Sequence, residues 1–95
     1  MELSYESKQK IIGFIVKENE SLNPKEIHPN HSLKNDLGLT SLDAVEIAMQ
    51  IEKEFKVSFI DDDIISASTV KDLFTMTEKY IESKNKRIEK IFLGK

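Results

Sequence analysis

From Leu42 to Phe55 the chain runs fourteen residues without glycine or proline, and Ile47, Ala48, Ile51 and Phe55 recur at the three- and four-residue steps of a helix. An amphipathic helix of this length owes its stability to elements that cover its apolar stripe. Two other segments have a stripe to offer. Tyr5 to Asn19 carries Ile11, Ile12, Phe14 and Ile15, with Ser4 as N-cap and Gly13 as a position of low helix propensity. Val70, Leu73, Phe74, Thr77 and Ile81 repeat at helical steps behind Ser68 or Thr69 as cap. Between these helices, Lys56 to Ala67 contains Asp61-Asp62-Asp63-Ile64-Ile65 and reads as one short helix capped by an aspartate. Val57, Ser58 and Phe59 are β-prone, but nothing else in the chain reads as a strand to pair with them. The spacing therefore predicts an all-α bundle of three main helices plus a short third helix. Residues 20–40 form a long first loop broken by Pro24, Pro29, Asn30 and Gly38. A loop of this length is functional or carries short turns of its own. Ile27, Leu33, Leu37 and Leu39 are placed to pin it to the core.

Composition narrows the function classes. With 95 residues, 39% hydrophobic and 33% charged, the chain has the makeup of one small soluble domain. It is too apolar for a disordered chain, and its apolar runs are too short for a membrane span. Without cysteine there is no disulfide, thiolate metal site or cysteine nucleophile. The first residues are acidic and lack the basic region of a signal peptide, so a cytoplasmic protein is expected. Residues 1–83 carry nine basic and sixteen acidic side chains, net −7. Residues 84–95 hold Lys84, Lys86, Arg87, Lys90 and Lys95 against Glu89, net +4. The acidic body excludes nucleic acid and favours partners with basic surfaces. Residues 1–83 are read as the domain and residues 84–95 as a basic C-terminal extension, in which Ile88, Ile91 and Phe92 are spaced to prolong the last helix. A monomer is expected.

Little in the chain supports autonomous catalysis. His28 and His31 are three apart around Pro29, whereas a helical zinc pair needs a spacing of four and a third ligand. They read as exposed loop histidines. A calcium loop counted from Asp61 needs glycine sixth and glutamate twelfth, where Ser66 and Asp72 stand. There is no glycine-rich phosphate loop and no serine with a base and an orienting acid beside it in sequence. No metal site is expected. Ser41 is unusual by placement: it follows Gly38-Leu39-Thr40 and opens the best helix. On physical grounds Thr40 or Ser41 is the N-cap of that helix, but a helix N-terminus also stabilises phosphate oxygens. Ser41 is thus well placed to bear a phosphate-linked group.

Ser32-Leu33-Lys34-Asn35-Asp36-Leu37-Gly38-Leu39-Thr40-Ser41-Leu42-Asp43-Ala44-Val45-Glu46-Ile47 closely resembles the attachment region of the acyl carrier protein family, Asp-Leu-Gly-x-Asp-Ser-Leu-Asp-x-Val-Glu. The likeness covers about residues 5–83 and includes the order of the helices. It implies a four-helix bundle that catalyses nothing and carries a 4′-phosphopantetheine arm on Ser41, installed from coenzyme A by a phosphopantetheinyl transferase. The arm's thiol would hold acyl intermediates as thioesters. Delivery would be to ketosynthase, dehydratase, reductase or acyltransferase-type enzymes of fatty-acid or polyketide biosynthesis. The family docks its partners on the second helix; mapped here, Asp36, Asp43, Glu46 and Glu52 would meet basic residues, with Leu42, Val45 and Met49 as apolar contacts. A cleft lined by Val45, Ile51, Phe59, Ile65, Ala67 and Leu73 would shelter the chain.

Three departures from the family pattern stand out. Thr40 replaces the aspartate before the serine, which bears on recognition by general transferases. Lys53 interrupts an acidic stretch, and Phe59-Ile60 replaces a smaller aliphatic residue and proline. Together they point to a specialised pathway. Two other readings stay open: an unmodified interaction subunit in which Ser41 is only a cap, and a carrier of aminoacyl or peptidyl groups.

Overall fold

The computed structural model describes the backbone of residues 1–93 and the side chains of residues 1–87. Four α-helices follow in order: α1 (Tyr5–Glu18), α2 (Ser41–Phe55), α3 (Asp61–Ser66) and α4 (Val70–Leu93). Among the described residues there is no strand, and Ser32 and Thr69 form a single antiparallel bridge. The all-α bundle expected from periodicity is the fold.

α1, α2 and α4 each begin where a side chain just ahead of the helix satisfies one of its first amides. Ser7 N–H donates to Ser4 Oγ at 3.1 Å ahead of α1. Thr69 heads α4, where its Oγ1 accepts from Asp72 N–H while Asp72 Oδ2 accepts from Thr69 N–H, each at 3.1 Å. For α3 the expected aspartate cap does not form: Ile60 occupies the cap position without a side-chain bond, and Asp61, Asp62 and Asp63 lie in the first turn. There they face the positive end of the helix dipole. An apolar cap leaves amide needs to be met from elsewhere, and Tyr80 of α4 meets one. Its hydroxyl accepts from Ile60 N–H at 3.1 Å and donates to Asp63 Oδ2 at 2.6 Å.

The core lies where α1, α2 and α4 meet. Ile11, Ile15, Ile47, Ile51, Val70 and Leu73 are fully buried. Thr77 is buried with them, its hydroxyl donating to Leu73 O at 2.7 Å, which satisfies the group without a partner helix. The long loop contains one 3₁₀ turn, Pro24–Glu26, and buries Ile27, Leu33, Leu37 and Leu39 as their apolar character predicts. Its later half is tied to the entry of α4, with Leu33 N–H on Ser68 O at 2.9 Å and Val70 N–H on His31 O at 3.1 Å. His31 is only half-exposed and its Nδ1 accepts from His28 N–H, so the pair is a loop staple in which only His28 is exposed.

α4 passes Ser83 without a break and continues to Leu93, so the basic extension begins as helix. The side chains of Ile88, Lys90, Ile91 and Phe92, and all of Lys95, lie outside the described residues.

Candidate functional site

The turn before α2 is built by one glycine conformation and two hydrogen bonds. Gly38 adopts φ +65°, a backbone region that favours glycine, and lets the chain reverse after Leu37. Asn19 at the end of α1 donates from Nδ2 to Leu37 O at 2.9 Å. Leu39 N–H donates to Leu33 O at 2.9 Å, closing the loop on itself. With Leu39 buried, Thr40 and Ser41 emerge at the surface.

Thr40 caps α2, and Ser41 does not. Asp43 N–H donates to Thr40 Oγ1 at 3.1 Å, and Thr40 N–H donates to Asp43 Oδ2 at 2.9 Å, a reciprocal capping box. Ser41 is therefore the first helical residue, exposed, and its hydroxyl makes no hydrogen bond among the described residues. Of the two caps that the sequence offers, Thr40 and Ser41, the helix takes Thr40, which leaves the Ser41 oxygen free. The first amides of α2 point toward the same end, where an anion is favoured by free N–H groups and by the dipole.

Beside Ser41 a groove of about 360 Å³ runs between the loop, α2 and α3. Its apolar wall includes Leu33, Leu39, Ala44, Val45, Ile64 and Ile65. Ala67 also lines it, and Ser32, Lys34, Asn35 and Ser68 supply polar groups. Of the residues expected to line a cleft, Val45, Ile65 and Ala67 do so. Ile51, Phe59 and Leu73 do not: they sit in the closed core at 0%, 6% and 2% exposure. Their apolar character is shared by core and groove, so helical spacing alone could not separate the two. Leu33, Leu39, Ala44 and Ile64 line the groove without having been singled out for it. The path of the loop brings Leu33 and Leu39 there, and the packing of α3 against α2 brings Ala44 and Ile64.

The residues expected to form a docking face also divide. Leu42 and Met49 are 72% and 54% exposed, unpacked against the bundle, and Glu46 is exposed as well. The other acids have structural work. Asp36 Oδ2 accepts from Ser32 N–H at 2.7 Å. Asp43 serves the capping box, and Glu52 Oε2 accepts from Phe59 N–H at 2.8 Å. Phe59 in turn stands edge-on to Tyr80 with ring centroids 4.9 Å apart. The hydrogen bond to Asp63 raises the Tyr80 phenol above its ordinary value. A tyrosine next to the α4 stripe was the available signal for this bracket, since a half-buried phenol usually finds a polar partner.

An exposed, unengaged hydroxyl thus stands at a helix N-terminus with an apolar groove alongside. Residues 11–76 match the family described as the phosphopantetheine attachment site. The chain is 34% identical over 79 residues to a protein of Schizosaccharomyces pombe named as a mitochondrial acyl carrier protein, covering 83% of this chain and 70% of that one. It is 45% identical over 58 residues to acyl carrier protein 3 of Ralstonia nicotianae, covering 61% and 67% respectively. The crystal structure of an acyl carrier protein from Thermotoga maritima superposes with a TM-score of 0.67 at 25% identity, covering 85% of this chain and 98% of that one. The chain belongs to the acyl carrier protein family. It is a carrier and not an enzyme, its domain bears a covalent 4′-phosphopantetheine, and it is served by a transferase and by biosynthetic enzymes. No helix among the described residues is long and apolar enough to cross a membrane.

Proposed function

We propose that Ser41 is the attachment residue and that the chain presents acyl intermediates to enzymes of a specialised fatty-acid or polyketide-type pathway. The observation that carries this reading is the freed hydroxyl of Ser41 at the start of α2, within the matched residues 11–76 and beside the groove. On a transferase, Ser41 Oγ forms a bond to phosphorus as the pyrophosphate of coenzyme A breaks; adenosine 3′,5′-bisphosphate leaves and the hydroxyl proton passes to a base of the transferase. The bound arm supplies a terminal thiol on which an acyl chain is held as a thioester. The phosphodiester lies at the positive end of α2. The groove removes methylenes from water, each worth about 0.8 kcal/mol, so a short chain is retained yet released to a partner.

Leu42, Glu46 and Met49 form the exposed part of the partner face, with Val45 shared between face and groove. Asp36, Asp43 and Glu52 add negative potential from fixed positions. Their internal hydrogen bonds hold them in place for basic patches on the partner enzymes. Thr40 keeps the capping role that an aspartate would fill, but without the charge, so loading by a general transferase is slower than by the native one. Intact mass after incubation with coenzyme A and a broad-specificity phosphopantetheinyl transferase tests the assignment. The expected result is a phosphopantetheine increment on wild type and none on Ser41→Ala. Absence of the increment with the native transferase as well contradicts it and leaves an interaction subunit.

A further inference from the structure

One residue of the groove is out of character with the acidic body. Lys34 is the one charged residue that lines it among the described residues. The body around it carries net −7 over residues 1–83. Lys34 makes no ion pair among the described residues, and the acids next to the loop are taken up by backbone amides of the groove's edge: Asp36 accepts from Ser32 N–H and Asp43 from Thr40 N–H. Neither aspartate lines the groove. A cation on an apolar trough whose lining holds no carboxylate is a point of positive charge that a purely hydrocarbon chain does not use.

We propose that Lys34 is a specificity-determining residue that favours acyl cargo bearing a second, anionic group, such as a carboxylate on the chain, over neutral chains and over cargo bearing an ammonium. The inference rests on Ser41 as the attachment residue. Leu39, Ala44 and Ile64 cover the methylenes while Lys34 meets the charge. An aminoacyl or amino-terminated chain meets like charge instead, which opposes the aminoacyl reading left open by the sequence. Because Lys34 is exposed, the preference is modest, about two- to fivefold at low salt, and it fades as ionic strength shortens the screening length.

The test uses the full chain loaded with three cargoes of equal length: octanoyl, 7-carboxyheptanoyl and 8-aminooctanoyl. The rate of thioester cleavage by hydroxylamine is measured against the same thioester on free pantetheine. At low salt, Lys34→Met lowers the protection of the carboxylated chain about two- to fivefold relative to wild type and leaves octanoyl protection unchanged or raised. Lys34→Glu reverses the order of the carboxylated and amino chains, and 0.5 M salt removes the difference. Circular dichroism of each variant confirms the fold. An equal change for all three cargoes overturns the proposal and assigns Lys34 to the phosphodiester of the arm. No change for any cargo overturns it and leaves Lys34 a solvated side chain. Failure of wild type and the variants to load at all sinks the attachment reading, and this inference with it.

Discussion

Thr40 and Ser41 are adjacent hydroxyl residues with opposite duties. The Thr40 hydroxyl belongs to the backbone of α2, and the Ser41 hydroxyl belongs to solvent. This division makes a stability prediction. Thr40→Ala removes the cap and costs about 1 kcal/mol in urea unfolding, whereas Ser41→Ala stays within about 0.5 kcal/mol. Equal costs for the two would mean that both hydroxyls cap. Which of two neighbouring hydroxyls takes the cap was not legible in the residues, because serine and threonine are both good caps. Asp43 decides it: placed three residues after Thr40, it can return a bond to the Thr40 amide. The same signal is present at Thr69 and Asp72, where one of the two candidate caps is again chosen by an aspartate three residues on.

At the scale of elements, the helices were legible and their joints were not. The stripes of α1, α2 and α4 announce three helices because period 3.6 needs only residue types and spacing. The joints depend on single backbone atoms. Lys56 ends α2 at φ 57°, ψ 46°, a left-handed conformation, and its carbonyl accepts from Lys84 Nζ at 2.9 Å. Glycine meets no Cβ penalty there, so Lys56→Gly raises stability by roughly 0.5–1 kcal/mol, read as a higher urea midpoint with an unchanged slope. A loss of stability would show that the lysine side chain contributes more than the backbone strain removes. Asp72 governs the opposite joint, between α3 and α4. The Ser68 backbone N–H, with further bonds from Ser68 and Thr69, holds its carboxyl below the ordinary value of 3.8. The ionised form is the one favoured by folding. Its contribution is therefore complete above the unfolded value and is lost as pH falls through the lower folded value. Thermal unfolding followed from pH 6 into the acid range should show a steeper loss for wild type than for Asp72→Asn. Parallel curves would remove Asp72 from the account.

For the whole molecule, the decisive feature is how little core supports a groove. A domain of 95 residues has a stability of about 5–14 kcal/mol, and single buried side chains are a large part of it. Ile51→Ala, at a fully buried position, costs about 2–5 kcal/mol. Ile65→Ala, at a position 79% exposed, changes stability by less than about 0.5 kcal/mol while altering the groove wall. Denaturant midpoints of the two variants check this; similar losses would mean that α3 is as integral to the core as α2. The separation also explains why the lining was only half legible in the sequence. Val45, Ile65 and Ala67, expected from the apolar pattern and the family resemblance, line the groove. Ile51, Phe59 and Leu73 share the same apolar chemistry but are drawn inward, since Ile51 and Leu73 lie on the inner faces of α2 and α4 and Phe59 is held by Glu52 and Tyr80. The charge division is visible at this scale too. The acidic body is followed by a helix that runs on to Leu93 and carries the first basic residues of the extension with it.

The most direct measurement is the position of the arm on the wild-type chain. After loading with coenzyme A and the native transferase, fragment mass spectrometry across Leu39-Thr40-Ser41-Leu42 should place the whole phosphopantetheine increment on Ser41. An increment on Thr40 would contradict the division of labour between the two hydroxyls, and with it the account of how this turn presents its attachment point.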